Sequence, residues 1–159
     1  MKRFVRLVCV GVMVSLVYVA GLGAQEVQKI DACSILSKAE IEAEVKQPVG
    51  DGQLKGAGVI APCQYKVGDY GVLSVQLATA GPQTADKVLE DFGKRKIAVS
   101  DVADLGDRSF FSSPGYGMIQ LNTFKGSDYL IITMLLSGST EGAQKTSAVN
   151  LMQIALEKR

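Results

Sequence analysis

Cys33 and Cys63 constrain this chain more than any other pair of residues. The 159 residues hold three cysteines, and Cys9 lies in an apolar N-terminal run that is expected to be removed. An even pair left in an exported chain predicts one disulfide. The alternative is a redox-active or metal-binding pair, but such pairs usually sit close in sequence with two residues between them. A bridge here closes a loop of about 30 residues, worth roughly 3–4 kcal/mol in the chain-entropy account. It would tie a first helix to the edge of a sheet.

Export is read from the first 24 residues. Lys2, Arg3 and Arg6 precede an apolar run, Leu7 to Ala20, broken only by Gly11 and Ser15. Small residues Gly21, Gly23 and Ala24 follow, then polar Gln25 and Glu26. A positive start, a short apolar core and a small-residue exit make a bacterial-type secretory signal, with cleavage expected after Ala24. A retained membrane anchor is the alternative, and the run is near the lower limit of a span. Cys9 sits inside the apolar core rather than at its end, so no lipid anchor is expected. Residues 25–30 read as a polar tether and 31–159 as a single domain. Loss of the three leader cations leaves 14 Lys and Arg against 16 Asp and Glu, a net charge of −2. That balance argues against non-specific nucleic-acid binding, which needs a basic face. The sequence has no His, which removes the commonest general base, Ser-His and Cys-His nucleophiles, and His-containing zinc sites.

Ser37-Lys38-Ala39-Glu40 has the spacing of a capping box, with Leu36 and Ile41 placed as a hydrophobic staple. Ile41 and Val45 share one helix face; Lys38, Glu42 and Lys46 alternate in sign on another. Pro48 and Gly50 are expected to end that helix. Gly50 to Gly58 reads as loop, with neither phosphate-loop nor dinucleotide spacing. Cys63 to Val67 and Leu73 to Leu77 alternate as a hairpin around Gly68-Asp69-Tyr70-Gly71. Pro82 or Thr84 begins a second helix, with Ala85, Val88, Leu89 and Phe92 on its core face and Gly93 as its stop. Lys94-Arg95-Lys96 offers an anion-binding or membrane-surface patch; the plainer reading is cations at a helix C-terminus. Ile97 to Val102 is a short strand. Asp101, Asp104 and Asp107 lack the alternation of a calcium loop and read as a solvated acidic turn.

Arg108 to Ser112, Ile119 to Phe124 and Tyr129 to Leu136 are the remaining strands. Ser113-Pro114-Gly115 and Lys125-Gly126-Ser127-Asp128 are the turns between them. The near-continuous apolar run of Tyr129 to Leu136 predicts a central strand covered on both faces. A last helix starts near Ser139 or Thr140, with Ala148, Leu151, Met152 and Ala155 facing the core. Hairpin connections dominate, so the fold class is α+β: a mostly antiparallel five- to six-stranded sheet with about three helices packed on it.

The run Asp31-Ala32-Cys33-Ser34-Ile35-Leu36-Ser37-Lys38-Ala39-Glu40-Ile41, with Pro48-Val49-Gly50 after it, resembles the opening of a family of small bacterial envelope domains of unknown function, many of them actinobacterial lipoproteins. Cys63-Gln64-Tyr65, Leu105-Gly106-Asp107 and Gly126-Ser127-Asp128-Tyr129-Leu130 resemble its later landmarks. The resemblance implies an exported α+β domain bridged at Cys33 and Cys63. It implies no reaction and no catalytic residues. The chain departs from many members in lacking a lipid-attachment cysteine.

No catalytic, cofactor-binding or metal-ligating cluster is expected. The first functional expectation is therefore a non-enzymatic binding or interaction domain in the periplasm or outside the cell, meeting a small ligand or an envelope protein. Tyr70 and Tyr116, each beside glycine, stand at hairpin tips, where a tyrosine either packs the turn or supplies contacts. The second is a hydrolase or transferase using carboxylates from Asp101, Asp104 and Asp107. The third is an accessory subunit of an envelope assembly, which would show an exposed apolar patch on one sheet face.

Overall fold

A computed structural model describes residues 31–56, 58, 60–79 and 84–159. The leader, the tether and the helix start at Pro82 lie outside the described residues. Asp31 caps a 3-10 turn, Ala32–Ser34, by accepting from Cys33 N–H. Helix α1, Lys38–Val45, follows with its capping box complete: Ser37 Oγ accepts from Glu40 N–H, and the Glu40 carboxylate accepts from Ser37 N–H at 2.8 Å. Leu36 and Ile41, the staple positions, are fully buried. The helix stops before Pro48, because Lys46 turns left-handed at φ 55°. The alternating charges do not pair along the helix. Glu42 accepts from Val49 N–H and Lys38 meets Asp51 instead.

Seven strands form one antiparallel sheet: β1 Gln53–Leu54, β2 Cys63–Val67, β3 Gly71–Thr79, β4 Val99–Val102, β5 Arg108–Gly115, β6 Met118–Lys125 and β7 Asp128–Leu135. Their order is β1-β2-β3-β7-β6-β5-β4. β7 is central, as its apolar run requires. The seventh strand, β1, lies in the glycine-rich segment expected to be all loop. Its two residues pair with Gln64 and Cys63, a tertiary contact with no periodic signal of its own. Gly52, just before it, passes so close to the bridge that a Cβ there would stand 2.7 Å from Cys63 Sγ.

Side chains alternate between two faces along each strand. Leu73, Val75, Leu77, Ile119, Leu121, Leu130, Ile132 and Met134 face the larger core. Helix α3, Glu141–Glu157, covers it with Ala148, Leu151, Met152 and Ala155, all fully buried, and α1 packs against α3. Thr140 caps α3 by accepting from Ala143 N–H. Cys33 and Cys63 are joined, with Cα atoms 5.0 Å apart. Beside the bridge, Tyr65 OH donates to Leu36 O at 2.6 Å, and burial pushes its phenol pKa upward.

The opposite face is covered differently. The link from β3, in the middle of the sheet, to β4, at its far edge, must pass over β7, β6 and β5. Helix α2, Ala85–Lys94, makes that crossing, capped by Thr84. Val88 and Phe92 pack on Phe110, Phe124 and Tyr129 as a second, smaller core. Gly93 does not stop α2, which runs on to Lys94; the left-handed residue is Lys96, at φ 55°. Ser113-Pro114-Gly115 is not the hairpin turn either. Those residues stay in β5 as an irregularity in its pairing, and Tyr116-Gly117 turn the chain, at φ 56° and 74°.

Candidate functional site

The α2 crossing covers only part of its face, and a cleft remains. Its floor is built by strand alternation. Gln76 and Ala78 of β3, Tyr129 and Ile131 of β7 and Gln120 of β6 point the same way because each is an even number of residues from its neighbour on the strand. The helix supplies the wall with Val88, Asp91, Phe92 and Arg95, continued by Ile97. Ile60 and Pro114 stand on the rims. Pro114 is tolerated there because the β5–β6 pairing is irregular between Ser112 and Gly115, so no regular ladder bond needs its missing N–H. The cavity volume is about 870 Å³, within the range of small-molecule sites.

On this same face a hydrogen-bonded chain that includes Tyr129 and Gln120 of the floor runs across three strands. Tyr129 OH donates to Asn122 Oδ1 at 2.8 Å, and Asn122 Nδ2 donates to Ser112 Oγ at 3.1 Å. Ser112 Oγ donates to Gln120 Oε1 at 3.1 Å, and Gln120 Nε2 donates to Thr133 Oγ1 at 3.2 Å. Asn122 is fully buried, yet its amide and carbonyl are both engaged. Satisfied in this way, a buried polar chain rigidifies its surroundings. Tyr129 stacks on Phe124 with ring centres 4.2 Å apart, and burial pushes its phenol up to about 12. It is therefore a neutral donor at ordinary pH. Gln76 makes no side-chain hydrogen bond among the described residues, so its amide is open to the cleft.

The three aspartates do not converge. Asp101 lies on β4 and pairs with Arg108 at 3.0 Å. Asp107 accepts from Gly126 N–H at 2.6 Å, tying two turns together. Asp104 occupies a left-handed position at φ 56° between them. Among the described residues no group of His, Cys, Asp and Glu is placed to hold a metal ion, and no helix is long and apolar enough to cross a membrane.

Tyr70 and Tyr116 are 84% and 94% exposed, so neither packs its turn. Both tips lie at the same end of the sheet, since Val72 of β3 and Ile119 of β6 pair with Leu135 and Met134 of β7. Within the basic triplet, Lys94 pairs with Glu90 at 2.7 Å, as expected at a helix end. Arg95 instead lines the cleft. No motif in the sequence marks the floor residues Gln76 and Gln120, or Asn122 buried beside them, because polar positions in an alternating strand look like a solvent face. The readable clue was the pairing of long amides with an apolar central strand.

No family model matches the chain, and no curated protein or solved structure matches it either.

Proposed function

We propose that the chain is an exported, non-enzymatic binding domain of the bacterial cell envelope, and that its ligand sits in the cleft between α2 and the sheet. The observation that carries this reading is the 870 Å³ cleft over a floor already fixed by hydrogen bonds. A pre-fixed floor lowers the ordering cost of binding. The disulfide fits an oxidising compartment, and the leader pattern and the envelope-family landmarks agree with it. Chemistry on carboxylates is less well supported, since Asp101 and Asp107 are engaged separately.

Native mass spectrometry after exposure to an envelope extract tests the reading. Wild type should retain a small molecule, and Gln76→Trp, which fills the cleft from its floor, should not. Equal retention by both would refute the cleft as the site.

A second reading rests on the two tips. Tyr70 and Tyr116 project from one end of the sheet, as contacts to a protein partner would. The other exposed large apolar residues do not form one patch with them: Ile60 lines the cleft, and Leu54 and Val99 lie on the two opposite edge strands. Capture of an envelope protein that survives Gln76→Trp and is lost in Tyr70→Ser/Tyr116→Ser would favour the tips.

A further inference from the structure

Among the described residues the wall of the cleft carries one cation, Arg95, and that cation has an unusual setting. The Arg95 guanidinium stands 5.4 Å from the centre of the Phe92 ring, and its Nε donates to Asp91 O at 3.4 Å. It forms no ion pair among the described residues. The neighbouring Asp91 carboxylate is directed to Lys94 instead, at 3.6 Å. The terminal nitrogens of Arg95 are thus left over, on a side chain already steadied by an aromatic face. Next to it, Ile97, Ile131, Ala78 and Ile60 present apolar surface.

We propose that the cleft takes a small amphiphile with one anionic head, which Arg95 holds while the apolar body lies between Phe92 and Ile131. The assignment rests on the reading of the cleft as the ligand site and adds the ligand's chemistry. A guanidinium fork matches the two oxygens of a carboxylate or a similar head. A multiply charged head is disfavoured, because Arg95 is the sole cation of the lining among the described residues and Asp91 stands beside it. A wholly polar anion would leave the isoleucine surface wet. Gln76, with its open amide, offers a donor and an acceptor to a hydroxyl or amide partway along the ligand.

Calorimetric titration of the leaderless protein with decanoate, decanol and decyltrimethylammonium, below their micelle concentrations, tests the assignment. Decanoate should bind about tenfold more tightly than decanol, the share of one charge-assisted hydrogen bond, and the cationic probe more weakly than either. Arg95→Gln should bring decanoate down to the level of decanol and leave decanol unchanged. Lys94→Gln, which removes a neighbouring but paired cation, should change neither. Decanoate should also shift the Arg95 Nε–H resonance in an NMR titration. Equal binding of decanoate and decanol, or a decanoate preference that survives Arg95→Gln, would overturn the proposal. Should decanoate fail to bind while wild type still retains an envelope ligand that Gln76→Trp loses, the amphiphile is wrong and the cleft stands. Envelope-ligand retention insensitive to Gln76→Trp would remove the cleft itself.

Discussion

Glu40 concentrates several interactions on one carboxylate. It accepts from Lys158 Nζ at 2.7 Å and from both the N–H and the hydroxyl of Ser37 at 2.8 Å. These contacts, Lys158 first, hold its pKa down from 4.5 to about 2. A carboxyl lowered in the fold binds its proton more readily when unfolded, so its stabilisation is complete above about pH 4.5 and is lost as pH falls towards about 2. Glu40→Gln should therefore be less stable than wild type at neutral pH by about 1 kcal/mol. In urea titrations the gap should close across that acidic window; a gap independent of pH would mean that charge plays no part. Tyr129 works in the opposite direction. Its phenol is raised from 10.0 to about 12 by burial, so its contribution is intact below pH 10 and fades as pH rises through 12. Tyr129→Phe leaves Asn122 Oδ1 without its donor and should cost about 1–3 kcal/mol at neutral pH, read as a fall in the urea midpoint. Its stability should also decline less than that of wild type in the alkaline range. Neither effect depends on a ligand, so both probe the floor of the cleft and the helix cap as pieces of the fold.

At the scale of elements, the β5–β6 hairpin is the least comfortable piece. Tyr116 holds a left-handed φ of 56° with 94% of its surface exposed. A tyrosine there carries the steric cost of that region without packing in return. Tyr116→Asn should therefore stabilise the protein by about 0.5–1 kcal/mol, since Asn before Gly suits a turn with two positive φ values. A lower melting temperature in the variant would show that the ring contributes contacts. The same hairpin shows why some elements could be read from the sequence and others could not. Ser37, Thr84 and Thr140 cap helices through contacts three residues away, and such local chemistry is visible in a sequence. The sequence puts Tyr116 at a hairpin tip but centres the turn on Ser113-Pro114-Gly115, because that triplet carries the stronger local turn signal. Pairing with β6 overrides that signal and keeps those residues in the strand. β1 was missed for a related reason: two residues become a strand only because β2 lies beside them. The cleft was hidden in the same way. Nothing in Ala85–Lys94 says which face of the sheet the helix will cross, so Gln76 and Gln120 could not be told from surface residues. Phe92 on α2 and Arg95 at its C-cap, three apart, could be placed on one side of a helix, but not over a floor.

The whole molecule is one sheet between two unequal layers, and the disulfide serves only one of them. The bridge, the 3-10 turn, α1 and α3 belong to the larger core, whereas α2 sets Val88 and Phe92 on only three buried sheet side chains, Phe110, Phe124 and Tyr129, across the sheet. A crosslink acts chiefly by restricting the unfolded chain, so its loss lowers the free energy of global unfolding. It should not change an opening that leaves the rest of the fold intact. Amides of α3 can exchange only when the larger core comes apart, whereas those of α2 need only the smaller one to release. Replacement of both cysteines by serine should cost about 3–4 kcal/mol of global stability. Under native-state hydrogen exchange, the slowest α3 amides should then speed up by roughly two to three orders of magnitude. Amides of α2, already the faster set in wild type, should keep their rates. Equal acceleration of both helices would mean that the two faces open as one unit. An α2 that opens by itself leaves entry to the cleft independent of the bridge, so ligand affinity in the serine variant should match wild type wherever the variant remains folded. It also means that an occupant of the cleft should slow exchange in α2 before it affects α3, because it adds contacts to the smaller core alone.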